Sequence, residues 1–234
     1  MAPGSVAPAP GARNTGAAWF VGVSAAVVGA LLITGALARW WQILGLDPAS
    51  YRLAGTGLVL PSGAGTTHPL GWFLLVEGAV LIASALLAFY RPWITAAVTA
   101  AGGVAALVVV LIGGWYRPWN VVGSSLVQIG AEGTDSIEEF FATMPAGWGL
   151  ILTTVAAALG VVAGVTGLLL TAGRRRPLVT LGALALGGAV GVLALAIGAW
   201  SLEDEVPVNV IGLSVSDEAS RVLTGDAGSD RSGW

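Results

Sequence analysis

Long uninterrupted apolar stretches alternate with short polar segments along the chain. Five stretches reach the roughly 20 apolar residues that a helix needs to cross the hydrocarbon core of a bilayer. Because lipid offers the backbone no hydrogen-bond partner, each stretch is predicted to be helical. The pattern therefore predicts an all-α integral membrane protein with five transmembrane helices, over residues 17–38, 71–89, 94–115, 147–172 and 178–200.

The first stretch has an alternative interpretation. Ala36-Leu37-Ala38 has the form of a signal-peptidase site, so the stretch could be a cleaved signal peptide. It is longer than the apolar region of a signal peptide and no basic cluster precedes it, so a retained helix is favoured. Residues 1–16, rich in Ala, Pro and Gly, are predicted to be a disordered cytoplasmic tail.

Composition agrees with a membrane protein and excludes several chemistries. Of the 234 residues, 56% are hydrophobic and 10% charged, whereas soluble domains carry about 25% charged residues. The chain has no Cys and one His, which excludes thiolate and poly-His metal sites. No phosphate-binding loop, nucleophile elbow or zinc-protease motif is found. We therefore predict no enzymatic activity, no catalytic residues, no cofactor and no metal.

Arginine placement predicts the orientation in the membrane. Arg174, Arg175 and Arg176 lie between the fourth and fifth stretches, and such clusters remain on the cytoplasmic side. The N-terminus is then cytoplasmic, and the loops 42–70 and 116–146 and the C-terminal tail are extracytoplasmic. The cluster is too short for a nucleic-acid site, so no nucleic-acid partner is predicted.

An internal repeat organises the chain. Arg91-Pro92 opens one stretch and Arg176-Pro177 opens another, 85 residues later (176 − 91), and nine of the 25 aligned positions are identical, including Gly102-Gly103 with Gly187-Gly188. The repeat predicts tandem parallel helix-loop-helix units over residues 17–90 and 91–175, with a partial third unit over 176–234. Coincidence in Ala- and Gly-rich helices is the alternative.

The extracytoplasmic loops share a plan. Residues 51–60 and 121–129 are rich in β-branched and apolar side chains and are predicted to be short strands or extended segments. A short helix capped near Asp135 or Ser136 follows in the second loop. Twelve of the thirteen Asp and Glu residues fall in the outer segments. The loops are therefore predicted to be ordered and acidic.

Few side chains inside the stretches are candidates for function. Glu77 is the one ionisable residue well inside a stretch, roughly 7 Å below Trp72, where a lone carboxylate is costly. It is either a proton or cation site or the partner of Arg39 in an intramembrane ion pair, and we favour the pair. His68 at the outer mouth is either a pH sensor or a helix cap, and the cap is favoured.

Glycines and tryptophans indicate how the helices are arranged. The two Gly-x-x-x-Gly motifs, Gly160 with Gly164 and Gly187 with Gly191, allow close helix packing. Trp residues at the ends of the stretches predict an aromatic belt at the membrane interfaces, formed by Trp40, Trp41, Trp72, Trp93, Trp115, Trp148 and Trp200.

One family shares this layout. The first stretch ends Ala38-Arg39-Trp40-Trp41, an extended outer segment follows, Gly71-Trp72 re-enters the membrane, and a short Arg-containing turn comes next. Over residues 17–175 this resembles the small Trp-rich membrane proteins of actinobacteria, including those associated with tryptophan operons. The resemblance implies a plasma-membrane protein without an established activity.

Two functions are consistent with the sequence. We favour a non-catalytic accessory or scaffold subunit that contacts the lipid bilayer and other membrane-protein subunits and presents acidic outer loops. The alternative is a small transporter or channel with Glu77 as its intramembrane polar site. The last residues, Gly233-Trp234, repeat the Gly-Trp that opens each returning helix. The chain is therefore expected to be part of a six-span protein or to descend from one that lost its last helix, with coincidence as the alternative.

Overall fold

Five long helices make up most of the part of the chain that the structure describes. The computed structural model describes residues 15–42, 52–59, 65–116, 145–172 and 176–204. The helices, in chain order, are α1 (Thr15–Leu37), α2 (Pro69–Ala85), α3 (Pro92–Val109), α4 (Trp148–Thr171) and α5 (Arg176–Asp204). Counted with the turns that extend α2 to Phe89 and α3 to Tyr116, each is long and apolar enough to cross a membrane. The prediction of five membrane-spanning helices is confirmed in length and composition.

Proline and histidine set the helix boundaries on the second and third spans. His68 precedes α2, and its Nδ1 accepts a hydrogen bond from Leu70 N at 3.2 Å. Pro69 and Pro92 occupy the first turns of α2 and α3, where a missing N–H costs nothing. A 3-10 turn, Leu86–Phe89, extends α2, and a π-helical turn, Val110–Tyr116, extends α3.

The bundle is built around α1 and α3. α1 packs against α2 and α4, and α3 packs against α4 and α5. A Cβ added at Gly29 of α1 would lie 2.5 Å from Gly78 O of α2, so the two backbones are in direct contact. Leu32, Leu74 and Leu150 from three helices are fully buried in the larger apolar core.

A small antiparallel sheet fills the loop between α1 and α2. Its strands, in spatial order, are β1 (Arg52–Ala54), β2 (Gly57–Val59) and β3 (Gly65–Thr67), with Leu53 opposite Leu58. Gly57 has φ 131°, which glycine tolerates and which allows the tight turn after β1. Residues 51–60 were predicted to be short strands or extended segments. The structure has β1 and β2 in this range, paired as a hairpin, and a third strand, β3, beyond it.

The segment after α1 ties this sheet to the bundle. Trp40 N donates a hydrogen bond to Leu53 O at 2.8 Å, and Gly147 N donates to Trp40 O at 2.6 Å. The same segment therefore contacts both β1 and the start of α4.

Two tryptophans lie in the core and not in the predicted aromatic belt. Trp40 is fully buried and Trp41 is 4% exposed, whereas Trp72 is 53% and Trp148 57% exposed. Trp40 Nε1 donates a hydrogen bond to Gly35 O at 2.9 Å. The prediction is therefore wrong for Trp40 and Trp41, because the strand hydrogen bonds fold the segment after α1 back over the bundle.

Several predictions concern residues outside the described ranges. The residues concerned belong to most of the N-terminal tail, the second outer loop over 117–144, Arg174 and Arg175, and the C-terminal tail from 205 onwards. Thr15 and Gly16, predicted to belong to the tail, are the first residues of α1. Arg176 begins α5.

Candidate functional site

Glu77 lies at the contact between α2 and α3. Its neighbour Gly78 packs against Gly29 and Ile33 of α1. Because successive residues of a helix are rotated by about 100°, Glu77 faces a different helix. A Cβ added at Gly102 of α3 would lie 2.6 Å from Glu77 Oε1. Glu77 is only 9% exposed, so the absence of a side chain at Gly102 leaves the space that its carboxyl group occupies.

The second carboxyl oxygen of Glu77 is unsatisfied. Glu77 Oε2 is buried and has no hydrogen-bond partner among the described residues. Buried polar atoms are hydrogen-bonded in the great majority of cases, so each exception calls for an explanation.

A cavity of about 490 Å³ opens beside this carboxyl group. It lies between α2, α3 and α5. Glu77 is the one ionisable residue in a lining that is otherwise entirely apolar. The lining residues are Phe73, Val76, Val80 and Leu81 of α2, Ala97, Val98, Ala101, Gly102 and Ala105 of α3, and Val179, Gly182, Ala183, Leu186, Gly187 and Val190 of α5.

Arg39 occupies a different place. It lines a second cavity of about 530 Å³ with Arg52 and Trp148, and it pairs with Ala54 as an isolated β-bridge. Gly78 packs against Ile33, and Arg39 lies six residues beyond Ile33, roughly 9 Å further along the bundle. The structure does not bring Arg39 and Glu77 together, and the expected ion pair is not formed between the two side chains.

Four buried hydroxyl groups of α2, α3 and α4 do not extend the polarity of Glu77. Thr95 Oγ1 donates to Ser84 O, and Thr99 Oγ1 donates to Thr95 O, both at 2.8 Å. Thr153 Oγ1 and Ser84 Oγ also donate to backbone carbonyls. Each of these hydroxyls is therefore engaged by a helix backbone. In the described part of the bundle they give no continuous polar path for a hydrated ion.

The four glycines predicted to allow close packing lie at two contacts of α3. Gly160 and Gly164 of α4 face α3, where a Cβ at Gly160 would lie 3.1 Å from Gly103 Cα. Gly187 and Gly191 of α5 face the opposite side of α3, and a Cβ at Gly191 would lie 2.9 Å from Ala105 O.

Gly188 of α5 behaves differently from these four glycines. A Cβ added at Gly103 of α3 would lie 2.7 Å from Gly160 C and 2.9 Å from Ala157 O of α4. Gly188 of α5 aligns with Gly103 in the predicted repeat, and a Cβ added there would meet no atom within 4 Å. The side of α5 around Gly188 is apolar and open, with Leu181 66% and Val192 59% exposed.

Sequence reasoning identified Glu77 but missed its surroundings. The cavity, the role of Gly102 and the open position of Gly188 depend on how α2, α3 and α5 are placed in space. The glycine pairs at 102-103 and 187-188 were a partial signal of these close contacts. Two consecutive glycines leave two adjacent sides of a helix without side chains.

Comparison with known proteins finds no match: no protein family, curated protein sequence or solved structure is significantly similar to this chain.

Proposed function

We propose that this protein is a non-catalytic accessory or scaffold subunit of a plasma-membrane complex. In this proposal a transmembrane helix of another membrane protein packs against α5, on the side that contains Leu181, Gly188 and Val192, here called the open face. The N-terminus is cytoplasmic, the C-terminus is extracytoplasmic, and the acidic outer loops are available to the partner. The open position of Gly188 is the observation that carries the proposal.

The predicted repeat explains why the open position of Gly188 suggests a partner helix. Gly29, Gly103 and Gly188 each stand twelve residues before the Trp that closes their predicted span (41 − 29, 115 − 103 and 200 − 188). Gly29 contacts the backbone of α2, and Gly103 contacts the backbone of α4. In both cases the partner is the next helix of the chain, running in the opposite direction. Gly188 is the third such position and has no helix against it among the described residues.

The low overall burial of α5 also supports a partner helix. In the most apolar part of each span, 17% of residues are buried in α5, against 44% in α1 and 50% in α3. Small residues at a helix surface let another backbone approach closely, which is how helices associate in lipid. A helix running antiparallel to α5 would complete the arrangement that α1 and α3 already have.

Photo-crosslinking in the native membrane tests this directly. A crosslinking amino acid is placed at Leu181 and, separately, at Val192, two exposed positions about three turns apart. We expect both to crosslink to one transmembrane helix of another protein. The position nearer the start of α5 should crosslink nearer the end of the partner helix, because the two helices run in opposite directions.

A pair of variants provides the control. Gly188→Leu meets no neighbouring atom at its Cβ, so the isolated protein should tolerate it, while a closely packed partner helix should not. Ala189→Leu introduces the same side chain one residue later, at an exposed position. We expect crosslinking to be lost in Gly188→Leu and kept in Ala189→Leu. Crosslinks only to lipid, only to a second copy of this chain, or equally in both variants would contradict the proposal.

A further inference from the structure

The cavity beside Glu77 combines an apolar wall with one unsatisfied carboxyl oxygen. We infer that this cavity between α2, α3 and α5 is a binding site for a lipophilic amine, whose N–H donates a hydrogen bond to Glu77 Oε2. The aliphatic part of the ligand would fill the apolar remainder of the cavity. This inference does not depend on the partner helix proposed for the open face.

The carboxyl group of Glu77 lies within the membrane-spanning part of α2 and lacks a partner for one oxygen in the part of the chain that the structure describes. An intramembrane acidic residue is costly and is usually paired or lines a functional cavity. Glu77 is nine-tenths buried, it does not pair with Arg39, and its Oε2 lacks a donor among the described residues. A donor carried by a ligand would satisfy this oxygen.

The size and the apolar lining of the cavity suit a small lipophilic molecule. Its volume of about 490 Å³ falls within the roughly 300–1,000 Å³ of small-molecule sites, which are typically apolar with a few fixed polar groups. Small residues on two helices create the space, chiefly Ala101 and Gly102 of α3 and Gly182 of α5. A Cβ added at Gly182 would meet no atom within 4 Å, so this part of the cavity is open.

The chemistry of the lining selects the class of ligand. A hard metal cation needs about six oxygen ligands, and this lining offers one carboxyl group. A fatty acid would bring a second carboxylate against the first. A lipophilic alcohol could donate one hydrogen bond, but a protonated amine also compensates the charge, and charge-assisted hydrogen bonds are roughly twice as strong as neutral ones.

Ligand binding is measured with decylamine and decanol, which share one alkyl chain and differ in the head group. The full-length protein is reconstituted in nanodiscs of phosphatidylcholine, whose head group has no N–H. Binding is followed by the ligand-dependent rise in melting temperature. We expect saturable binding of decylamine at least tenfold tighter than that of decanol. Glu77→Gln should remove most of this difference, because the neutral amide cannot compensate the ammonium charge.

Two further variants keep the test decisive. Gly182→Leu adds a side chain in the open part of the cavity, where its Cβ meets no atom within 4 Å, and it should weaken binding of both ligands at least tenfold. Ala189→Leu on the same helix lies outside the cavity lining and should bind both ligands as the unaltered protein does. The inference is overturned if decylamine binds no more tightly than decanol, or if Gly182→Leu binds both ligands normally. Equal decylamine affinity in Glu77→Gln and the unaltered protein would also overturn it.

Discussion

The same substitution should affect stability differently at Gly103 and at Gly188, which align in the predicted repeat. At Gly103→Ala the new Cβ would lie 2.7 Å from Gly160 C and 2.9 Å from Ala157 O. These are backbone atoms, so α3 and α4 must move apart to accommodate it. At Gly188→Ala the new Cβ would meet nothing within 4 Å.

The magnitude follows from two terms. Replacing Gly by Ala within a helix stabilises by about 0.8–1 kcal/mol at either position. Overpacking costs about 1–3 kcal/mol and applies only at Gly103. The helix term is common to both variants, so their free energies of unfolding should differ by about 1–3 kcal/mol, with Gly188→Ala the more stable and at least as stable as the unaltered protein.

Unfolding by sodium dodecyl sulfate in mixed micelles, followed by circular dichroism, measures this difference. The purified protein without partners is used, so that a helix docked on α5 does not contribute. Equal stability of the two alanine variants would refute the close α3–α4 contact and the contrast between the two positions.

Three further predictions concern single side chains, each measured by the same unfolding assay. Because Glu77 and Arg39 line separate cavities, the effects of Glu77→Gln and Arg39→Gln should add within about 0.3–0.5 kcal/mol; a clear recovery of stability in the double variant would instead indicate the ion pair. Thr95→Val removes the hydrogen bond that joins the start of α3 to Ser84 O of α2 and should cost about 0.6–1.7 kcal/mol. Thr99→Val, whose hydroxyl bonds to the carbonyl of Thr95 in its own helix, is the matched control and should cost less. Trp40→Ala should cost about 3–5 kcal/mol because Trp40 is fully buried, whereas Trp72→Ala at an exposed position should cost little; similar losses for the two tryptophans would contradict the placement of Trp40 in the core.

The number and extent of the helices could be predicted because bilayer thickness dictates them. A run of about 20 apolar residues has few alternatives to a spanning helix, and the predicted run over 71–89 differs from the observed span Pro69–Phe89 by two residues. Prolines at residues 69 and 92 mark helix starts for a local steric reason, which a sequence shows directly.

The contacts between helices could not be predicted in the same way. In a membrane both the lipid-facing and the protein-facing sides of a helix are apolar, so the hydrophobic pattern does not distinguish Leu74, fully buried, from Val76, 62% exposed. The expected pairing of Glu77 with Arg39 was based on the position of Arg39 at the outer end of the first stretch. Depth along the membrane normal does not specify which helix a side chain faces, and Glu77 faces Gly102 of α3.

The burial of Trp40 was missed for a related reason. A Trp at the end of an apolar run is typical of the membrane interface, and nothing local distinguishes Trp40 from Trp72. The difference arises from a non-local hydrogen bond, Trp40 N to Leu53 O, which depends on how the loop after α1 folds.

The central claim is that five helices cross the membrane between residues 5 and 232, which places these two residues on opposite sides. The chain has no Cys, so a single introduced cysteine reports one position. In intact cells, or in spheroplasts if an outer envelope blocks access, a membrane-impermeant maleimide should label Ser232→Cys. It should label Ser5→Cys only after the membrane is permeabilised. Labelling of both cysteines before permeabilisation, or of neither, would contradict the five-span account, and the reverse pattern would contradict the proposed orientation.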